Sequence, residues 1–253
     1  MTLAAVVLTY NEAQYIEDCL RTLAWADRRV IFDGGPETGS TDGTVELARQ
    51  AGAEVLEGRF QNYAQQRNAA IAQVEAEWIF FVDADERVPP LLAEEVQQVV
   101  RERPEIGWSV PRHNIIFGRL TLGGGWYPDY QFRLFRRGHA HWERPVHEVA
   151  VVDGPQGRLQ HPLIHLNYAD VAEFHRRQQR YNQLDARILL EQGVRPRPYT
   201  PYVQALRHFW WRFITLRGTR DGLHGLRLSL LMAYYEARKY QELARLRRHS
   251  PNR

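Results

Sequence analysis

Apolar positions in the first part of the chain fall into two alternating textures. Leu3–Leu8, Arg29–Phe32, Ala53–Leu56 and Trp78–Val82 are short, mostly apolar runs rich in β-branched and aromatic residues. In Leu3–Leu8 and Trp78–Val82 that is the pattern of strands buried on both faces of a sheet, and Arg29–Phe32 and Ala53–Leu56 read as a second and a short third strand. Between them, apolar residues recur at helical spacing at Ile16, Cys19, Leu20 and Leu23, then at Val45, Leu47 and Ala48 up to a stop at Gly52, and a further helix is expected over 62–74. Ser40 or Thr41 can cap the second of these helices. Strand and helix in regular alternation predict an α/β fold with a mostly parallel sheet flanked by helices.

After the turn at Pro89-Pro90, residues 91–103 carry the spacing of an amphipathic helix. From Gly107 to Tyr168 the texture changes to short aromatic and β-branched runs separated by glycine-rich turns such as Gly123-Gly124-Gly125, and six of the ten histidines lie here. Strands and long loops are expected, of the kind that carry sites. A helix over 172–192 is ended by the proline-containing segment 193–201, and two basic, aromatic-rich helices are expected over 202–216 and 223–246. No internal repeat is seen. The expected organisation is one domain over 1–170, with halves 1–105 and 106–170, followed by a helical basic extension over 171–253.

Charge sharpens that division. From Val171 onward 17 Arg+Lys stand against 6 Asp+Glu, whereas residues 1–170 hold 16 against 24, within an overall net charge of +3. The basic side is arginine, with Lys239 the only lysine. Helices of this kind can lie on an anionic bilayer with Trp210, Trp211 and Phe213 at the interface, or pack on the main domain and expose a solvated basic face. No pattern of a nucleic-acid-binding module accompanies the charge, so nucleic acid is not expected. At 253 residues the chain can bury a substantial core, and its single cysteine, Cys19, fits a reducing compartment. Residues 1–8 lack the features of a signal peptide and no long apolar span occurs, so a cytoplasmic location is expected, with a peripheral place on the inner membrane face as its extension. The oligomeric state stays open.

The candidate chemistry gathers at strand ends. Thr9-Tyr10-Asn11-Glu12, Asp33 and Asp83-Ala84-Asp85 each follow an expected strand. In a parallel sheet such ends share one edge, where α/β folds place their ligands. Two carboxylates two residues apart can converge on a hard cation, and Mg²⁺ or Mn²⁺ fills its remaining positions with water and substrate phosphate oxygens. A metal-bound diphosphate is therefore the first reading of the Asp83–Asp85 stretch, against a plain polar strand exit. No Walker A sequence is present, and Gly34 to Gly39 does not follow the dinucleotide fingerprint.

These motifs in this order, with Ser40-Thr41-Asp42-Gly43-Thr44 and Gln66-Arg67-Asn68, resemble the nucleotide-sugar-binding half of glycosyltransferase family 2, inverting enzymes of GT-A fold. Gly125-Trp126-Tyr127-Pro128-Asp129, Arg133-Leu134-Phe135-Arg136-Arg137, Val146-His147-Glu148 and Ile164-His165 resemble its lipopolysaccharide core β-glucosyltransferase branch. The resemblance covers about residues 3–170. It implies a nucleotide-sugar donor, by analogy a UDP-sugar such as UDP-glucose, a cell-envelope glycolipid or polysaccharide acceptor, and Mn²⁺ or Mg²⁺. Thr9, Tyr10, Asn11, Glu12, Asp33, Arg67, Asp83, Ala84 and Asp85 would hold the donor, and Asp85, Asp83 and His165 the metal. Glu148 would be the catalytic base, with Asp129 second. Trp126, Arg133, Arg136 and His147 would meet the acceptor or a phosphate, and Trp142 could stack on a sugar. One departure is evident: the family commonly places a serine directly after the second-strand aspartate, and here the stretch from Asp33 to Ser40 is longer, so contacts to base and ribose are expected to differ.

Two other classes stay in view. A nucleotidyltransferase should carry a glycine-rich basic loop with a lysine after the first strand, and Thr9–Glu12 is not that loop. A non-catalytic scaffold at the membrane surface would use the same carboxylates only structurally.

Overall fold

The computed structural model describes residues 1–36, 39–144 and 148–249, the last without its side chain. In chain order the elements begin β1 (Leu3–Thr9), α1 (Ile16–Arg21), β2 (Arg28–Asp33), α2 (Thr44–Gln50), β3 (Glu54–Glu57), α3 (Tyr63–Gln73) and β4 (Trp78–Asp83). There follow β5 (Glu86–Arg87), α4 (Pro90–Glu102), β6 (Gly107–Val110), β7 (Arg112–Ile116), β8 (Arg119–Thr121), β9 (Gln131–Arg136) and β10 (Ala140–Glu143). The chain continues through β11 (Val149–Val152), β12 (Gln156–Arg158), β13 (Leu163–Tyr168), α5 (Val171–Glu191), α6 (Thr200–Trp210) and α7 (Gly222–His249). It divides into one unit of residues 1–112 and 129–165 and another of 113–128 and 166–253.

The first unit is built on a seven-stranded sheet in the order β12-β6-β9-β4-β1-β2-β3. Strands β4, β1, β2 and β3 run parallel, as the alternation predicts, while β9 inserts antiparallel between β4 and β6. Along β1 and β4 successive side chains go to opposite faces, and both faces are dry. Leu3, Ala5, Val7, Trp78, Phe80 and Val82 join a core with Ile16, Cys19 and Leu20 of α1 and Leu92, Val96 and Val100 of α4. Ala4, Val6, Ile79 and Phe81 join a second core with Ala64 and Ala70 of α3, Phe135 and Trp142. Phe80 and Phe81 are fully buried, a stabilisation of about 1.5–3 kcal/mol each relative to exposure. Cys19 is buried in the first of these cores, where burial pushes its thiol pKa well up, as fits a packing residue.

Register then fixes the site. Thr9 lies opposite Asp33 and Leu8 opposite Asp83, so the ends of β1, β2 and β4 share one edge. β5 pairs antiparallel with β13, His165 facing Glu86, which brings a histidine from late in the chain beside the exit of β4. Arg136 instead lies opposite Trp78, where β4 begins.

In the second unit β7 pairs with β8, and Ile116, Tyr168, Phe174, Leu228 and Tyr235 form its core. The carboxylate of Asp221 accepts from the backbone N–H of Leu122 and of Gly123 at 3.0 and 2.7 Å, tying the glycine-rich turn to the start of α7. The helix expected to run to residue 216 ends at Trp210 and passes into a π-helical turn over Trp211–Thr215. There Arg212 turns inward, donating to the carbonyl of Gly124 at 2.7 Å and lying over the Trp126 ring. No described helix is long and apolar enough to cross a membrane.

Candidate active site

The turn after β1 and the loop after β2 are bonded to each other. Thr9 Oγ1 donates to Asp33 Oδ1 at 2.8 Å, and Ser40 reaches the same carboxylate twice, Oγ to Oδ1 at 2.6 Å and N–H to Oδ2 at 2.7 Å. The Asn11 N–H donates to Ser40 Oγ, the Glu12 N–H to Thr44 Oγ1 and the Ala13 N–H to Asp42. The Thr41 N–H in turn donates to Asn11 Oδ1. Because Ser40 folds back onto Asp33, the longer loop still sets a serine hydroxyl against the second-strand aspartate. Gly39 permits this: its φ is +87°, and a Cβ there would stand 2.5 Å from Asp33 Oδ2. Gly34 passes so close to Gly58 that a Cβ would lie 2.2 Å from its carbonyl oxygen. Asp33 itself is buried, with its carboxylate committed to these donors, and Tyr10 lies exposed with its ring over Gly35.

At the exit of β4 the two aspartates have different surroundings. Both oxygens of Asp83 are taken by the Arg133 guanidinium, Nη1 at 2.9 Å from Oδ1 and Nη2 on Oδ2, with Arg67 Nη2 at 3.7 Å. Arg133 Nη2 also donates to Glu86 Oε1 at 2.8 Å, and Glu86 Oε2 accepts the Asp83 N–H at 2.9 Å. Burial pushes the Asp83 carboxyl up, but Arg133 outweighs it and holds the group well below the usual carboxylate range. For Glu86, which has no exposed side chain, burial wins and the pKa is raised against the pull of Arg133. Asp85 is instead met by His165, whose Nε2 lies 3.4 Å from Oδ2.

The network runs on through Arg112, which approaches Glu86 at 3.3 Å and donates from Nε to Asp129 Oδ2 at 2.9 Å. Gln131 donates to the other Asp129 oxygen at 2.8 Å. Glu148 faces Arg67, Nε to Oε1 at 3.8 Å, and the Arg67 guanidinium lies over Phe81 and Trp142 at 5.2 and 5.8 Å from the ring centroids. Burial pushes the Arg67 pKa down against the attraction of Asp83, and its Nε makes no hydrogen bond among the described residues.

Of the residues singled out from sequence, Arg67, Asp83, Ala84, Asp85, Asp129, Arg133, Glu148 and His165 fall in one connected part of the first unit, and Thr9, Tyr10, Asn11, Glu12 and Asp33 on the same sheet edge. Arg133 is spent on Asp83 and Glu86. Arg136 is not brought to the site; it is exposed and approaches Glu77 at 3.2 Å. Asp129 is held by Arg112 and Gln131. Trp126 belongs to the second unit, Trp142 is buried in the core beneath Arg67, and His147 lies outside the described residues. Glu86 and Arg112 join the site without a signal in the sequence: Glu86 reads as part of a polar turn, and nothing local marks Arg112 as reaching an acid so far along the chain.

Among the described residues no group of three or more His, Cys, Asp or Glu side chains converges on a cation position. Asp85 and His165 offer one oxygen and one nitrogen. Two ligands at about 2.1 Å in an octahedron stand roughly 3 Å apart, so the pair fits adjacent positions on a Mg²⁺- or Mn²⁺-sized ion that draws its other ligands from diphosphate and water.

The profile of Glycosyl transferase family 2 matches residues 4–151. The chain is 30% identical to the lipopolysaccharide core biosynthesis glycosyltransferase LpsC of Rhizobium meliloti (strain 1021), over 96% of this chain and 94% of that protein. It is 31% identical to an uncharacterized glycosyltransferase of Rickettsia bellii (strain RML369-C), over 38% of this chain and 32% of that one. In fold it is similar to the mannosyltransferase PcManGT from Pyrobaculum calidifontis, solved in complex with GDP-Man and Mn²⁺, with a TM-score of 0.54 at 16% identity over 96% of this chain and 86% of the other. The parallel strands with their shared acidic edge, the family profile and the near full-length relative agree: this chain belongs to glycosyltransferase family 2 and is a glycosyltransferase of GT-A fold.

Proposed function

We propose that the chain transfers a sugar, with inversion, from a nucleoside diphosphate donor to a hydroxyl of a cell-envelope glycolipid or polysaccharide precursor, on the cytoplasmic face of the membrane. The observation that carries this reading is the asymmetry at the exit of β4. Arg133 neutralises Asp83, while Asp85 and His165 present a two-donor set fitted to a divalent cation. Similarity to LpsC along nearly the whole chain supports the acceptor class. UDP is the first donor to test, because the Ser40 hydroxyl stands beside Asp33 despite the longer loop.

Asp85 and His165 would hold Mn²⁺ or Mg²⁺, which when bound neutralises charge on the donor diphosphate. Thr9 to Glu12 and Asp33 would shape the base and ribose site, with Asp33 acting largely through the loop it fixes. Arg67, buried and with its Nε unbonded among the described residues, would approach a donor phosphate. Glu148 would take the proton of the acceptor hydroxyl as its oxygen bonds to the anomeric carbon and the bond from that carbon to the diphosphate breaks. It is favoured over Asp129, which is gripped by Arg112 and Gln131.

The test is a donor screen with Mn²⁺, reading released nucleoside diphosphate in the presence of extracted envelope glycolipid. Metal-dependent release from one nucleotide sugar is expected. Selective turnover of a nucleoside triphosphate would favour a nucleotidyltransferase, and absence of nucleotide-sugar binding would favour a scaffold.

A further inference from the structure

The segment 192–220 holds six arginines and no Asp or Glu, and α6 lies within it. Helical spacing puts Tyr199, Tyr202, Val203, Leu206, Trp210 and Ile214 along one side, and all six are exposed, Tyr202 and Leu206 each at 70% and Trp210 at 62%. The opposite side of α6 packs on α7. A row of large apolar side chains facing water needs an occupant. Its surroundings say which kind: Arg195, Arg197, Arg207, Arg217 and Arg220 are all exposed, and no carboxylate within the segment offsets them.

We infer that this face of α6 is a docking surface for an anionic lipid bilayer, with Leu206, Trp210 and Tyr202 entering the interface and the flanking arginines meeting lipid phosphates. A helix that lies on a membrane combines an apolar face with basic residues beside it, and Trp and Tyr favour the head-group level. Acidic residues, which an anionic surface would repel, are missing from the whole of this segment, whereas the helices α5 and α7 each carry both signs. Arg212 takes no part, being turned inward onto Gly124 and Trp126.

The surface does not depend on the transfer reaction, and the experiment separates the two. The full chain is sedimented with vesicles of phosphatidylglycerol and phosphatidylcholine and with vesicles of phosphatidylcholine alone. Binding to the anionic vesicles, weakened by salt, is expected. Leu206→Ser with Trp210→Ser should lower partitioning by about tenfold or more, and Arg207→Gln or Arg217→Gln by about fivefold each. Leu91→Ser, at an exposed apolar position on α4, should leave it unchanged, and so should Asp85→Ala even though transfer is lost. Failure of the full chain to bind anionic vesicles would overturn the inference. So would equal binding by the arginine variants, or a wild-type dimer that Leu206→Ser with Trp210→Ser splits, since a second copy would then be what covers the face.

Discussion

Arg133 grips Asp83 with both terminal nitrogens, Nη1 standing 2.9 Å from Oδ1 and Nη2 on the other oxygen. The first aspartate of the Asp83-Ala84-Asp85 exit is thus an anion already paired within the protein. Arg133 sits 3% exposed between Asp83 and the fully buried Glu86. Removing one member of such a set leaves charge stranded in a low-dielectric interior, which costs far more than the set contributes over an apolar substitute. Arg133→Met is expected to lower stability by about 3–5 kcal/mol, read by urea unfolding. A loss of under about 1 kcal/mol would mean that Glu86 rests as a neutral acid and needs no partner.

Acid should act through the same pair. The Asp83 pKa is lower folded than unfolded, so its contribution is fully present above the unfolded value of about 3.9 and is lost as pH falls through the folded one. The stability gap between the wild type and Asp83→Asn is therefore expected to be constant near neutrality and to close below about pH 4. Unfolding curves across that range check it. A gap independent of pH would mean that Arg133 does not hold Asp83 ionised.

The base assignment rests on how two carboxylates are engaged. Glu148→Gln should cut turnover by about 10²–10⁴-fold with donor affinity retained. Asp129→Asn should cost about 1 kcal/mol or less of stability through its loss to Arg112 and leave more activity than the Glu148 variant. Steady-state kinetics on both variants decides, and the reverse order would exchange the roles.

The loop clamp predicts a separation of kinetic constants. Ser40→Ala removes the hydroxyl that donates to Asp33 and accepts from Asn11, so the donor KM should rise severalfold with kcat little changed. Gly39→Ala should do the same more strongly, since its backbone is left-handed and its Cβ would meet Asp33. Unchanged KM in both would remove the loop from donor binding.

Much of this arrangement was legible in the sequence. The apolar runs of β1, β2 and β4 mark strands dry on both faces, and parallel strands oblige Thr9, Asp33 and Asp83 to share an edge. What escaped depends on distant partners. The run Gln131–Arg136 announces a strand but not that it enters antiparallel beside β4, and that choice sends Arg133 to Asp83 and Arg136 to the far end. Glu86 and Arg112 carry no local signal, because a charged side chain's partner is set by the folded register rather than by its neighbours in sequence. Likewise the spacing of 202–216 indicates an amphipathic helix, whereas the inward turn of Arg212 follows from Gly124 and Trp126, which lie far back in the chain.

Calorimetric titration of UDP and GDP into the chain, with and without Mn²⁺, for the wild type, Asp85→Ala and His165→Ala, bears most directly on the account. One nucleotide should bind tightly only with Mn²⁺, and both variants should lose that metal-dependent increment while keeping the fold. Metal-independent binding by the wild type, or an Asp85→Ala chain that retains the full Mn²⁺ effect, would contradict it.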